Sequence, residues 1–358
     1  MQPHSRNGFR PVFCTIVPPH VLDKLSRSDN PDLAGRARRT LESDAARRTR
    51  RHLATVTAPS ATSPAGAEPS DTPDRTLYDC RNGTALPGTK VRAEGEEPTQ
   101  DASVNRAYAG LGATFDLLFK VYGRRSIDDN GLPLIGSVHY DEKYNNAFFD
   151  GEQMVFGDGD GEIFLDFTLP IDVIAHELTH GLTQYTANLS YYGQSGALNE
   201  SVSDVFGSLV KQYTLGQSAD RADWLIGAGL LAPEVQGVAL RSMKEPGTAY
   251  DDDVLGKDPQ PGKMEDYVHT GQDNGGVHLN SGIPNRAFYV LATALGGNAW
   301  ERAGQIWFDV LTGGRLAVDA DFAGFARLTV DAARGRFGEG DETEAVLKAW
   351  SEVGVPTA

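Results

Sequence analysis

The sequence predicts an α+β protein with a β-rich first lobe, a helical second lobe and a small basic unit in front of both. From Thr76 to about Leu169, short strands alternate with Gly, Asn and Asp turns around one amphipathic helix, from about Ala102 to Tyr122. After Pro170 the apolar spacing turns helical. Segments are expected at 171–187, 199–213, 282–296, 298–312, 321–335 and 341–352, stopped by Gly296-Gly297, Gly313-Gly314 and Gly335. Residues 59–75 hold almost nothing that could be buried and read as a flexible linker. The chain therefore divides into a front unit (1–58), the linker (59–75), a β-rich lobe (76–187) that ends in a helix, and a helical lobe (188–358).

The front unit begins with the run Pro11 to Leu22, which Pro18-Pro19 keeps extended, and continues into an Arg/Ala-rich helix from about Asp32 to Leu53. Farther on, Asn82-Gly83 and the Gly157-Asp-Gly-Asp-Gly161 cluster punctuate hairpins. The second is read as a turn and not a calcium loop, because no bidentate acid follows at the right distance.

Composition narrows the function classes. With 40% hydrophobic and 23% charged residues the chain is globular, and no window of eighteen apolar residues could span a membrane. Residues 1–58 carry 11 Lys+Arg against 5 Asp+Glu, and the rest carries 22 against 44, so a basic arm is tethered to an acidic body. An acidic body argues against nucleic acid, whose phosphates need a positive surface. The stretch from Met1 to Leu22 lacks the apolar core of a secretory signal. Two cysteines, Cys14 and Cys80, are too few to indicate a disulfide framework.

The chemistry concentrates in Val173-Ile-Ala-His-Glu-Leu-Thr-His-Gly181. Residues four apart share a helical face, so His176 and His180 can hold one ion while Glu177 stands beside it. A catalytic zinc takes three protein ligands and leaves a position for water. Glu200, twenty residues beyond His180 and opening the next helix, supplies the third, with Asp204 one turn further on the same face. Two antiparallel helices joined by about a dozen residues would bring these groups together.

These motifs, together with Gly196-Ala-Leu-Asn-Glu-Ser-Val-Ser-Asp204, Asn145-Asn-Ala-Phe-Phe149 and Gly271-Gln-Asp-Asn-Gly-Gly-Val-His-Leu-Asn-Ser-Gly282, resemble the thermolysin family of zinc metalloendopeptidases over roughly residues 76–355. The resemblance implies a two-lobed fold with the zinc site in the cleft between the lobes. It implies His176, His180 and Glu200 as ligands, Glu177 as general base and then acid, and His278 and Tyr191 as donors to the oxyanion, with Asp273 orienting His278. Asp204 would hold His176 and Asn199 would hold His180. Asn146, Ala147 and Arg241 would bind substrate backbone, Asn145 to Phe149 forming an edge strand that pairs with it. Phe164, Phe167, Val173, Ile226 and Leu240 would line an apolar pocket and favour cleavage before Leu, Phe, Ile or Val.

The sequence departs from the family in two places. Where many relatives hold a calcium pair, it keeps Asp172 and Asp223 but has Lys211, Leu225, Ala228 and Gly229. The pair is expected to be absent, with the Lys211 ammonium replacing part of its charge. The short front unit is similar to the propeptide of the protealysin subgroup, which implies a zymogen inhibited by its own front segment. Processing is expected between Arg47 and Asp74, by self-cleavage before Leu53 or Val56 or by a trypsin-like partner at Arg47 to Arg51. Cys14 either takes the ion's open position in the latent form or is simply a small buried residue. Expected partners are peptide or protein substrates and the chain's own propeptide, without nucleic acid or membrane, the chain acting as a monomer. The family implies action outside the cell, while the missing leader also suits a cytoplasmic precursor. A binding scaffold that had lost its chemistry would be expected to lack Glu177 or His278, and both are present. An aminopeptidase would want acids near the cleft to grip a free amino terminus, and no such stretch precedes His176.

Overall fold

The computed structural model describes residues 14–57 and 70–357, with side chains described outside 47–57. The arm before Cys14 and residues 58–69, which hold most of the linker and part of the expected processing stretch, lie outside the described residues.

The front segment comprises β1 (Cys14–Thr15), α1 (Pro19–Leu25) and α2 (Pro31–Thr57). Its extended run stops earlier than Leu22. Pro18 is extended (φ -62°, ψ 144°) and Pro19 opens α1, because the fixed φ and missing N–H of proline suit the first helical position.

In the first lobe, β2 (Arg75–Asp79), β3 (Thr89–Ala93), β4 (Leu134–Val138), β5 (Ala147–Phe149) and β6 (Met154–Phe156) share one sheet with β1. The strand order is β1-β5-β6-β4-β2-β3, with β4 parallel to both β2 and β6 and the remaining pairs antiparallel. The front segment is thus not free-standing. It supplies the strand beyond β5, Cys14 opposite Phe149 and Thr15 opposite Phe148, and covers backbone groups that an edge would leave unpaired. Arg75, read as linker, already belongs to β2, and its guanidinium meets Glu94 at 2.6 Å.

Across the sheet lies α3 (Ala102–Tyr122). Asp101 Oδ1 caps it by accepting the Ser103 and Val104 amides at 2.8 and 3.2 Å, and Gly123 ends it at φ 69°. The other Asp101 oxygen accepts from His139 Nε2 at 2.8 Å, while His139 Nδ1 donates to Asp158 Oδ1 at 2.7 Å. One imidazole therefore ties the helix start to the 157–161 turn, where Asp160 Oδ1 accepts the amides of Glu162, Ile163 and Phe164.

The lobes meet at α4 (Ile171–Tyr185) and α5 (Gly193–Leu215). These helices approach so closely that a Cβ on Gly207 would lie 2.7 Å from the Asp172 carbonyl oxygen. Helix α5 starts six residues before the expected 199: Tyr192 is extended and the chain enters the helix at Gly193 through φ 56°. Gly-Gln-Ser-Gly reads as loop by composition, yet here it forms the first turn. Glu200 consequently sits within α5, and the connection from α4 spans only 186–192.

The second lobe continues with β7 (Leu225–Ile226) paired to β8 (Arg241–Ser242), then α6 (Asp273–Asn280), α7 (Gly282–Leu295), α8 (Arg302–Thr312), α9 (Phe322–Phe337) and α10 (Asp341–Glu352). Helix α6 was not expected, since Asp-Asn-Gly-Gly looks like a turn. Asn274, Gly275 and Gly276 are indeed left-handed (φ 51°, 83° and 76°), and only the residues after them are regular helix. Trp307 and Trp350 stack at 5.9 Å in the core of this lobe, with Phe325 edge-on to both. Among the described residues no helix is long and apolar enough to cross a membrane.

The His139 bridge carries a pH signature. The hydrogen bond to Asp158, then that to Asp101, outweighs partial burial and pushes its pKa up to about 9. A pKa raised on folding stabilises fully below the ordinary value of about 6.5 and is lost as pH rises through the folded value. Thermal unfolding should therefore show wild type losing stability relative to His139→Gln between pH 6.5 and about 9, the two curves converging above that window.

Candidate metal centre and cleft

Helix α4 presents His176, Glu177 and His180 to α5, which answers with Glu200 and Asp204, and all five are buried. The imidazole Nε2 atoms of His176 and His180 lie 3.1 Å apart, and each is 3.6 Å from a Glu200 oxygen. A tetrahedral ion with ligand bonds of about 2.0–2.1 Å would set its ligand atoms roughly 3.3–3.4 Å apart, so the donors already stand at the edges of such a tetrahedron. Both Nδ1 atoms face oxygen acceptors, His176 toward Asp204 Oδ1 and His180 toward Asn199 Oδ1, each at 2.8 Å. That leaves Nε2 as the free atom on each ring. Two such nitrogens and a carboxylate converging in a buried space repel one another unless a cation lies among them, and Glu200 Oε2 has no hydrogen-bond partner.

The surrounding charges are arranged around that point. Asp204 accepts two bonds from Arg241, at 2.9 and 2.8 Å, and one from Asn285 Nδ2 at 2.8 Å, besides the His176 N–H. Burial opposes its charge, but Arg241 and His176 hold the carboxyl well below the usual range. Glu200 is likewise ionised: burial pushes its pKa up, and His278, His180, His176 and Arg241 together bring it down to about 2. Burial lowers His180 to about 4, leaving a neutral ring able to ligate.

Glu177 points into the same space. Its Oε2 accepts the Phe149 amide of β5 at 3.1 Å, and its buried Oε1 has no partner. Burial, then the nearby Glu200, raises its pKa well above the carboxylate norm, as befits a proton acceptor near neutrality. His278 leans in from α6. The left-handed turn lets Asp273 fold back to accept the His278 amide at 2.9 Å and its Nδ1 at 2.6 Å. Burial works against the charged ring, but Asp273 and then Glu200 raise it to about 9. The Tyr191 hydroxyl donates to Glu200 and lies 3.3 Å from His278 Nε2.

The front segment fills this cleft. Cys14 Sγ is 2.8 Å from Glu200 Oε1, 2.8 Å from the Tyr191 hydroxyl and 3.6 Å from His278 Nε2. With one atom each from His176, His180 and Glu200 it forms a four-donor cluster whose atoms all lie within 4.8 Å of one another. Beyond it, Ile16 donates its amide to Ala147 O at 3.2 Å, Val17 donates to Asn146 Oδ1 at 2.9 Å, and Arg241 donates to Ile16 O at 3.1 Å. Phe164, Phe167, Val173, Ile226 and Leu240 are all buried, in the same apolar cluster as Ile16, and Ile226 is the β7 partner of Arg241.

Some of what the structure gathers here had no signal in the sequence. Asp44 of α2 is buried against the Tyr144 hydroxyl (2.5 Å) and Asn146 Nδ2 (3.1 Å). It sits in an Arg/Ala-rich helix without apolar periodicity to mark it. The bond from the Phe149 amide to Glu177 and that from Asn285 to Asp204 also join residues far apart in the chain. Such pairings become visible only once the helices are packed.

Comparison with known proteins agrees with this geometry. The family models described as thermolysin metallopeptidase, catalytic domain, and thermolysin metallopeptidase, alpha-helical domain, match residues 48–184 and 187–355. An "Extracellular metalloprotease" of Pectobacterium carotovorum subsp. carotovorum is 50% identical over 348 residues, 97% of either chain. "Protease PrtS" of Photorhabdus sp. (strain Az29) is 54% identical over 288 residues, 80% of this chain and 77% of the relative. The solved precursor of protealysin, a metalloproteinase from Serratia proteamaculans, superposes with a TM-score of 0.85 at 51% identity, covering 96% of this chain and 99% of that one. With both lobes matched and half of its residues shared along nearly the full length of such relatives, the chain belongs to the thermolysin family of zinc metalloendopeptidases.

Proposed function

We propose that this metalloendopeptidase is made as a zymogen, residues 1–58 serving as propeptide, and that once released it cuts peptide chains before bulky apolar residues at the Glu177 centre. The observation that carries the reading is the pair of Nε2 atoms 3.1 Å apart beside an ionised Glu200, with Glu177 Oε1 unpartnered at their side. His176, His180 and Glu200 would hold the zinc, which when bound acidifies water and polarises a carbonyl. Glu177 takes the proton of the attacking water and returns it to the leaving nitrogen. His278, oriented by Asp273, and Tyr191 donate to the oxygen that gains charge. Asn146, Ala147 and Arg241 hold the substrate backbone, and Phe164, Phe167, Val173, Ile226 and Leu240 form the pocket for the residue after the cut. In the latent form Cys14 takes the fourth ligand position, a reading supported by its place in the donor cluster.

We further propose that the chain works outside the cell, as the name of an extracellular relative suggests, and that it acts as a monomer on protein or peptide substrates without nucleic acid or membrane partners. Its paired calcium site is replaced by an ammonium. Lys211 Nζ lies 3.2 Å from Asp172 Oδ2 and 2.8 Å from Asp223 Oδ2. Asp172, fully buried, has its carboxyl pKa raised by burial against the pull of Lys211.

Casein digestion by the matured protein tests the chemistry. Glu177→Gln should lower kcat/KM by roughly 10³-fold, the loss of one general acid–base group, while bound metal stays unchanged. A randomised peptide library should show Leu, Phe, Ile or Val after the cut, and a preference there for charged residues would reject the pocket assignment. Selective calcium chelation with zinc held constant should leave activity and Tm unchanged. Lys211→Met should cost about 3 kcal/mol in unfolding experiments, by stranding the buried Asp172.

A further inference from the structure

The front segment does more than obstruct the cleft. It lies there in the direction and register of a substrate. The Thr15 carbonyl oxygen accepts from His278 Nε2 at 3.2 Å, the proposed oxyanion donor. Ile16 donates to Ala147 O and accepts from Arg241, and Val17 donates to Asn146 Oδ1. Every group assigned above to substrate backbone is therefore engaged, in order, by consecutive residues of β1 and the chain just after it. Ile16, fully buried, is a bulky apolar residue standing immediately after the Thr15 carbonyl. An inhibitor threaded backwards would be protected by its direction, and this one is not. Glu177 Oε1 still lacks a partner, so the base has not been disabled. What departs from a substrate complex is Cys14, whose Sγ stands among the metal-binding donors where the attacking water belongs, against Glu200 Oε1 and the Tyr191 hydroxyl. A cavity of about 180 Å³ lined by Cys14, Thr15, Tyr191 and His278 opens beside the sulfur, and replacing Cys14 with a smaller side chain would leave room there for water.

We propose that Thr15–Ile16 is a latent processing bond of the zymogen, bound as a substrate and kept intact because the Cys14 side chain occupies the water's place. The inference rests on the reading of Glu177 as the base of a peptide-hydrolysing centre. With the sulfur removed, water adds to the Thr15 carbonyl carbon, its proton passes through Glu177 to the Ile16 nitrogen, and the C–N bond breaks. One product ends in the Thr15 carboxylate and the other begins with the Ile16 amine, with no change of oxidation state. The bond lies upstream of the stretch from Arg47 to Asp74 expected to be cut in maturation, so its cleavage leaves a distinct terminus.

The test uses the zinc-loaded full chain, with intact mass and N-terminal sequencing over time. Cys14→Ala should generate an Ile16 amino terminus at least ten-fold faster than wild type, with a first-order rate independent of protein concentration. Cys14→Ala combined with Glu177→Gln should stay whole. A second readout needs no turnover: the cobalt-substituted Glu177→Gln zymogen should show a thiolate-to-cobalt charge-transfer band that vanishes with Cys14→Ala. A Cys14→Ala chain that digests casein yet keeps Thr15–Ile16 intact overturns the inference alone, as does a cobalt zymogen lacking the band. A folded, metal-loaded Cys14→Ala chain inert toward both casein and its own front segment overturns the reading of Glu177 as well.

Discussion

Two imidazole nitrogens held 3.1 Å apart beside an ionised carboxylate, all of them buried, are the constraint from which the rest of the structure follows. Their repulsion is tolerable only around a cation, and keeping them there demands that α4 and α5 touch, which Gly207 permits. It also demands that each ring be gripped from behind. Asp204 grips His176 and is itself held by Arg241 and Asn285, while Arg241 reaches on to the Ile16 carbonyl. One carboxylate thus couples a candidate metal donor to the guanidinium that holds the front segment's backbone. On the other side the Phe149 amide ties Glu177 to the strand that pairs with the bound chain. The candidate donors, Glu177 and the front segment are positioned by a single connected network, so a displacement of any member is felt by the others.

Inhibition draws on the same network. The front segment completes a sheet edge, engages Asn146, Ala147, Arg241 and His278, and places a sulfur among the donor atoms, so latency would draw on the contacts proposed for substrate. Its helices add contacts of their own kind. Asp44 caps Tyr144 and Asn146, and Arg36 reaches Glu162 at 2.7 Å and Asp160 at 3.7 Å, a point where the basic arm meets the acidic body. Burying charged side chains in a removable segment makes its binding depend on partners that all stay behind on the body.

Much of this was legible in the sequence because the relevant information is local. The HExxH spacing, the asparagine and carboxylate on the following helix, and the amphipathic pattern over 102–122 are properties of short windows, and helical geometry converts them directly into shared faces. Legibility ended where composition and conformation disagree. Gly193 to Gly196 have the residues of a loop but form the first turn of α5, and a proline pair that forbids a helix from within opens one here. It ended also at contacts made only by packing. Asp44 carries no mark in its helix, and nothing in the run from Cys14 to Val17 states which way the chain lies in the cleft. The charge asymmetry between arm and body suggested that they meet, but only the fold names Arg36 as a meeting point.

The most direct test of the account is the transition-metal content of the folded chain after exhaustive dialysis. A single zinc ion per chain in wild type and in Glu177→Gln, falling to trace levels in folded His180→Ala and Glu200→Gln, is the predicted result. A folded wild-type chain without transition metal, or one whose zinc survives the loss of His180 and Glu200, would contradict it.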